Sequence, residues 1–288
     1  MKKSAVFQKS ADIGPSSGHL DPEGFRQNVA FRTLPPSAEL AGFVEHFWVL
    51  SWDRGNLPPY ISEQVMDRPY TDLYISRLET GIQCTFLGKR AYRAVGADRI
   101  VGARFRPGAF HGFWPGSVAE LGDGILALES VFSDAGPEFV DRVVGAPDDG
   151  AVALLAALIQ NRLPAPDPNL ELLARILDAV EKENSLKTVS QVAQRFFKSE
   201  RWMQQFFSDY VGVGLKWVLL RQRLIEAAVV IRHTDRPDWA ALAYELGYSS
   251  QQHFITDFKR VVGQTPAQYQ RRVQASSPPV DKPPPIVE

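Results

Sequence analysis

A second cysteine is missing. Cys84 is the only one in 288 residues, so no internal disulfide can form, and a reducing compartment is compatible with that. Also missing is any apolar run near the ~20 residues that span a bilayer. The lysines of the first nine residues are followed by no apolar stretch of the kind a secretory signal needs. A cytoplasmic protein with no membrane partner is expected. The five histidines, His19, His46, His111, His233 and His253, show no metal-ligand spacing. No glycine-rich phosphate loop follows a strand. Neither metal nor cofactor is expected. Cys84 sits in an apolar stretch, residues 82–87, and reads as core rather than as a redox or alkyl-accepting thiol. No catalytic set is recognisable, so an enzyme is not expected.

Surplus charge is missing in total, at a net −1, but not locally. Residues 185–274 hold 13 Lys+Arg against 7 Asp+Glu, a net of +6, and the remainder holds 19 against 26, a net of −7. A basic C-terminal module on an acidic partner suits polyanion binding by that module alone. At 44% hydrophobic and 23% charged residues the composition is ordinary for a globular chain. The length has room for two domains.

What is present is a repeat. Trp239, Leu242, Ala243 and Leu246 fall at i, i+3, i+4 and i+7, one apolar face of a short helix. Gly247 stops that helix, and Ser249 or Ser250 can cap a second one. The second helix buries Phe254, Phe258 and Val261 or Val262, and Gly263 ends it. Fifty residues earlier Val189, Val192, Ala193 and Phe196 repeat the first pattern, with Ser199 as cap, Met203, Phe206 and Phe207 as the buried side, and Gly212 as the stop. The first helices are offset by 50 residues and the closing glycines by 51, so the second turn is one residue longer. Two units at such spacing are hard to get by chance. Each is a helix-turn-helix candidate.

The rest of the chain reads as follows. Residues 1–30 lack a sustained apolar period and are expected to form a mobile arm. Residues 31–135 form a small, mainly β domain. Within it, residues 38–48 suggest a short helix running into a strand, and residues 60–66, 72–76, 82–87 and 91–95 are short strand candidates. Residues 99–106 alternate, with Val101, Ala103 and Phe105 on one face and Gly102, Arg104 and Arg106 on the other, as in a half-buried strand. Residues 136–168 are a connector: a turn-rich break over 136–150, a helix over 151–163, and a stiff proline linker over 164–168. Residues 169–273 form the helical module. It opens with a helix over 170–182, and a longer helix over 215–232 joins the two units. At about 1.5 Å per residue, that rod can hold them about one DNA turn apart. Residues 274–288 read as a proline-rich disordered tail. The fold class is therefore α+β: a mainly β N-terminal domain, then an all-α C-terminal domain with two helix-turn-helix units joined by a linker helix.

These residues resemble a known family. Leu246-Gly247-Tyr248, Phe254, Phe258-Lys259, Gly263, Thr265-Pro266 and Tyr269, with Arg223-Leu224 and Ala227 on the linker helix, are similar to the DNA-binding domain of AraC/XylS transcription regulators. Phe197 stands at a turn often held by glycine in that family, Leu215-Lys216 where Ser-Pro is frequent, and Thr256 where an arginine is common. Phe43 to Trp48, Asp72-Leu73-Tyr74 and Gly102 to Gly108 resemble a domain that precedes this module in one subgroup, which implies a sensing or dimerising role.

The resemblance implies that each second helix enters a major groove. Base-edge contacts then fall to Arg201, Gln204, Gln205 and Ser208 in the first unit, and to Gln251, Gln252, His253 and Thr256 in the second. Lys198, Lys259, Arg260 and Arg271 are the phosphate candidates. Trp239, Phe254 and Phe258 read as core. Arg104, Arg106 and His111 are candidates for holding an effector, and Glu45, Trp48 and Trp114 for lining a pocket with His111. The implied partners are double-stranded DNA, a small-molecule effector, RNA polymerase and a second copy of the chain. Two other readings stay open on sequence alone. One is an enzyme carrying a regulatory DNA-binding module, as in alkylation-response proteins; the other is an interaction module without DNA binding.

Overall fold

Alternation along the strands organises the N-terminal half, because successive strand side chains point to opposite faces. The computed structural model describes residues 19–65, 69–86, 88–183 and 185–276. Strands β1 (Ala30–Leu34), β2 (Val44–Asp53), β4 (Thr71–Ile75), β5 (Thr80–Gln83), β7 (Ala97–Phe105) and β8 (Ile125–Leu126) form a six-stranded sheet in the order β1-β2-β7-β4-β5-β8. Strands β3 (Tyr60–Val65) and β6 (Lys89–Ala94) pair antiparallel as a separate ribbon.

Phe47 and Val49, Val101, Ala103 and Phe105, Leu73 and Ile75 all lie on one sheet face and are buried. That face packs against two helices, α2 (Pro137–Gly145) and α3 (Asp148–Gln160), through Phe139, Val143, Leu155 and Ile159. The opposite face is not simply solvated, as a half-buried strand would have it. Trp48, Leu50, Ile100 and Arg104 turn instead into a cavity, roofed by the ribbon and by α1 (Pro22–Asn28).

Several expectations are corrected. Residues 19–30 are folded rather than an arm: Asp21 caps α1, Phe25 is buried, and Leu20 joins the core of the second helix-turn-helix unit. Residues 1–18, the remainder of that arm, lie outside the described residues. The expected break over 136–150 contains α2. Its glycines and prolines punctuate the ends, while Phe139 and Val143 sit at i and i+4 on the buried side. The connector thus belongs to the N-terminal core. Residues 38–43 form turns instead of a helix. The strand expected over 82–87 is β5, which stops at Gln83, and Leu87 lies outside the described residues. Cys84 is buried as expected.

In the C-terminal half α4 (Pro168–Lys182) leads into α5 (Val189–Arg195), α6 (Glu200–Val211), α7 (Leu215–Arg232), α8 (Trp239–Glu245), α9 (Gln251–Val262) and α10 (Pro266–Ser276). The second helix of each unit starts on a serine cap, with the Trp202 amide donating to Ser199 Oγ at 3.1 Å and the His253 amide to Ser250 Oγ at 3.2 Å. Gly212 and Gly263 close them in the left-handed conformation. The rod α7 serves two cores: Leu215, Val218 and Leu219 pack in the first unit, Leu224, Ala227 and Ile231 in the second. Helix α10 falls partly where a tail was expected. Thr265 and Gln268 satisfy each other's backbone amides at its start, a capping box that stabilises the first turn. The rest of the tail, residues 277–288, lies outside the described residues.

The turn of the first unit stores strain. Phe197 has φ 54° and is 94% exposed, whereas Gly247 holds the equivalent position of the second unit at φ 79°. A left-handed non-glycine residue costs about 1–2 kcal/mol, and glycine returns about 0.5–1 kcal/mol of that in the unfolded chain. Phe197→Gly is therefore expected to stabilise the chain by about 0.5–1 kcal/mol. The denaturation midpoint should rise; a fall would mean that the ring makes a stabilising contact.

Candidate nucleic-acid interface

Helix α6 presents Arg201, Gln204 and Gln205 to solvent while Met203 and Phe207 point inward. This is the division that 3.6-residue periodicity dictates. Gln205 Nε2 donates to both carboxylate oxygens of Asp209, at 2.9 and 3.0 Å, which fixes its rotamer one turn along the helix. Lys198 lies before the cap, with Nζ 4.7 Å from the centre of the Trp202 ring.

On α9 the exposed residues are Gln251, Gln252, His253 and Thr256, with Ile255 half-buried. Thr256 Oγ1 donates to the Gln252 carbonyl at 2.8 Å. Asp257 is the anchor of this face. Its side chain is 13% exposed, takes a hydrogen bond from Arg260 at 2.7 Å, and lies 3.5 Å from His253 Nε2. Arg260 is thus held in place beside the exposed polar residues of α9, whereas Lys259 and Arg271 are exposed further along. The i, i+4 and i, i+3 spacing of Asp209 and Asp257 to their partners is legible in the sequence, although neither was expected to have a role. Phe254 and Phe258 are fully buried, and Trp239 packs partly against the same core, as expected.

One base-contact candidate, Ser208, lies at a contact with the N-terminal half. Ser208 is half-buried because the N-terminal domain rests on the C-terminal half of α6. Ser117 Oγ donates to the Ser208 carbonyl at 3.3 Å, and the His111 ring stacks on Tyr210 at 4.2 Å. Gly108, at φ 79°, allows the close approach, since a Cβ there would lie 2.3 Å from Leu173 Cδ2. His111 therefore sits at the contact between the two halves and does not line the cavity. Arg106 is not in the cavity either; its Nε donates to the Ala41 carbonyl at 2.6 Å. Only Arg104 of that trio lines the cavity, joined there by Trp48 but not by Glu45 or Trp114. Among the described residues no group of three or more His, Cys, Asp or Glu is placed to hold a metal ion. No described helix is long and apolar enough to cross a membrane.

Residues 192–272, from within α5 to within α10, match a helix-turn-helix domain family. SoxS, a regulatory protein of Salmonella typhimurium, is 35% identical over 82 residues, which cover 28% of this chain and 76% of SoxS. The chain belongs to the AraC/XylS family. Residues 32–127 of this AraC/XylS chain, which hold most of the sheet and of the cavity lining, match a domain of unknown function (DUF6597). The transcriptional activator RhaS of Escherichia fergusonii is 30% identical over 125 residues, 43% of this chain and 45% of RhaS. The chain thus spans less than half of that AraC/XylS relative. Among solved structures, ToxT from Vibrio cholerae O395 is 12% identical, covering 85% of this chain and 96% of ToxT at a TM-score of 0.35.

Proposed function

We propose that this AraC/XylS chain is a sequence-specific DNA-binding transcription regulator that reads two adjacent major-groove segments through α6 and α9. One observation carries the reading: two separately cored helix-turn-helix units share the rod α7, and each turns a polar face to solvent. Arg201, Gln204 and Gln205 meet base edges in one segment, and Gln251, Gln252, His253 and Thr256 in the next. Ser208 has a smaller part, given the domain resting on it. Lys198, Lys259, Arg260 and Arg271 meet phosphates, which supply affinity without sequence choice. A cytoplasmic location goes with this role. We assign no catalysis: burial pushes the Cys84 thiol up to about 11, the opposite of an activated nucleophile.

Selection of duplexes from a random pool by the full-length chain tests the reading. The expected product is a site with two conserved segments spaced by about one helical turn. Absence of any enrichment over competitor at low salt would overturn it. Lys259→Ala should weaken binding to selected and random duplexes alike and lower the salt slope by about one unit. A slope equal to that of the parent would remove Lys259 from the phosphate set.

A further inference from the structure

The DNA-reading scheme leaves the second face of the sheet without a task. Trp48, Leu50, Trp52, Tyr74 and Ile100 line a cavity of about 400 Å³ there, with Phe25 of α1 opposite. That volume and an aromatic lining are those of a small-molecule site. The charges at the wall leave no surplus for an anion. Arg104 donates to both carboxylate oxygens of Asp72, at 2.9 and 2.7 Å, and its guanidinium lies 3.5 Å from the centre of the Tyr70 ring. An anion would have to break this bidentate pair to win the guanidinium. Counting Arg93 and Arg104 against Asp72, Glu79 and Asp98, the ionisable lining is not net positive.

Beside Arg104 the wall is one side chain thick. Tyr70 and Phe86 line the cavity and also pack on Trp217 of α7. One turn further along α7, Arg221 is buried with its guanidinium 4.9 Å from the centre of the Trp217 ring, and it donates to the Gly88 carbonyl at 3.3 Å. The rod that spaces the two reading helices is therefore in contact with the cavity's own aromatic wall.

We propose that this cavity binds an uncharged aromatic small molecule, and that its occupancy alters DNA reading through the Tyr70–Phe86–Trp217 contact. Only the second clause rests on the regulator assignment. A molecule that displaces Tyr70 or Phe86 shifts the packing against α7 and, through it, the spacing of α6 and α9.

The test titrates the full-length chain with N-phenyl-1-naphthylamine, an uncharged fluorophore, and with 8-anilinonaphthalene-1-sulfonate, which adds a negative charge to the same skeleton. The uncharged probe should bind once per chain and at least about ten-fold more tightly than the sulfonate. Leu50→Trp and, from the ribbon side, Ala94→Phe fill the cavity. Each should weaken the uncharged probe by about ten-fold or more, with the circular-dichroism spectrum kept in at least one of them. Saturating probe should shift affinity for the selected duplex by about three-fold or more, and Trp217→Ala should abolish that shift while still binding probe. Equal or tighter sulfonate binding, or full probe binding by a folded cavity-filled variant, would overturn the site while leaving DNA reading intact. Probe binding without any change in DNA affinity would overturn the coupling alone. Probe binding by a chain that selects no duplex would overturn the regulator reading and leave the cavity standing.

Discussion

Replacing Phe258 by alanine is expected to be the most damaging of the changes considered. The ring is fully buried on α9, with its centre 5.7 Å from those of Phe254 and Tyr269. Truncating a phenylalanine in such a core costs about 3–5 kcal/mol, the lost transfer energy plus the void it leaves. The loss should appear as an earlier denaturation midpoint for the C-terminal half. Because the two units are cored separately, with only α7 in common, α6 should remain folded. Protection of the selected duplex should then shrink to the segment under α6, with weaker affinity overall. An unchanged midpoint would show that the aromatic cluster does not hold α9, and loss of both segments at once would show that the units fold as one.

Arg201→Ala is the second large effect, on binding rather than on folding. Arg201 is exposed in the first turn of α6, two residues past the Ser199 cap. Among the described residues no hydrogen bond or ion pair holds it. A planar guanidinium that meets guanine bidentately discriminates by about 1–3 kcal/mol. The substitution should lower affinity by that amount at the selected site, barely change binding to random duplexes, and relax one base preference. Equal losses on both would reassign Arg201 to the phosphate backbone. The contrast with Gln205 is instructive. The Asp209 carboxylate already holds the Gln205 amide, so less rotamer freedom is lost when it meets a base. Arg201 has that ordering cost still to meet.

Local signals told most of the C-terminal half. The serine caps, the closing glycines and the apolar periods act within one or two helical turns, and all stand where the sequence puts them. Even the longer second turn survives, with Ser199 and Ser250 capping at an offset of 51 residues while Phe197 and Gly247 keep an offset of 50. What escaped were features decided by distant parts of the chain. The glycines and prolines around α2 read as punctuation because nothing local says that a sheet waits for Phe139 and Val143. Residues 19–30 looked apolar-poor, yet Leu20 packs into the core of the second unit and Phe25 stacks on His19 at the cavity wall. Ser208 has the spacing of a groove-facing residue, and only the three-dimensional fold puts the N-terminal domain over it. For the same reason α10 was read partly as tail, although its capping box lay in the sequence.

The unlike side chains on α6 and α9 have a consequence for the DNA as well. Counted from their caps, the reading helices set Arg201 against Gln252, Gln205 against Thr256, and Ser208 against Lys259. Halves so unlike cannot trade places on a duplex, so a single protomer would sit with a defined head and tail. Turning its target end for end would then point the N-terminal domain in the opposite direction along the double helix.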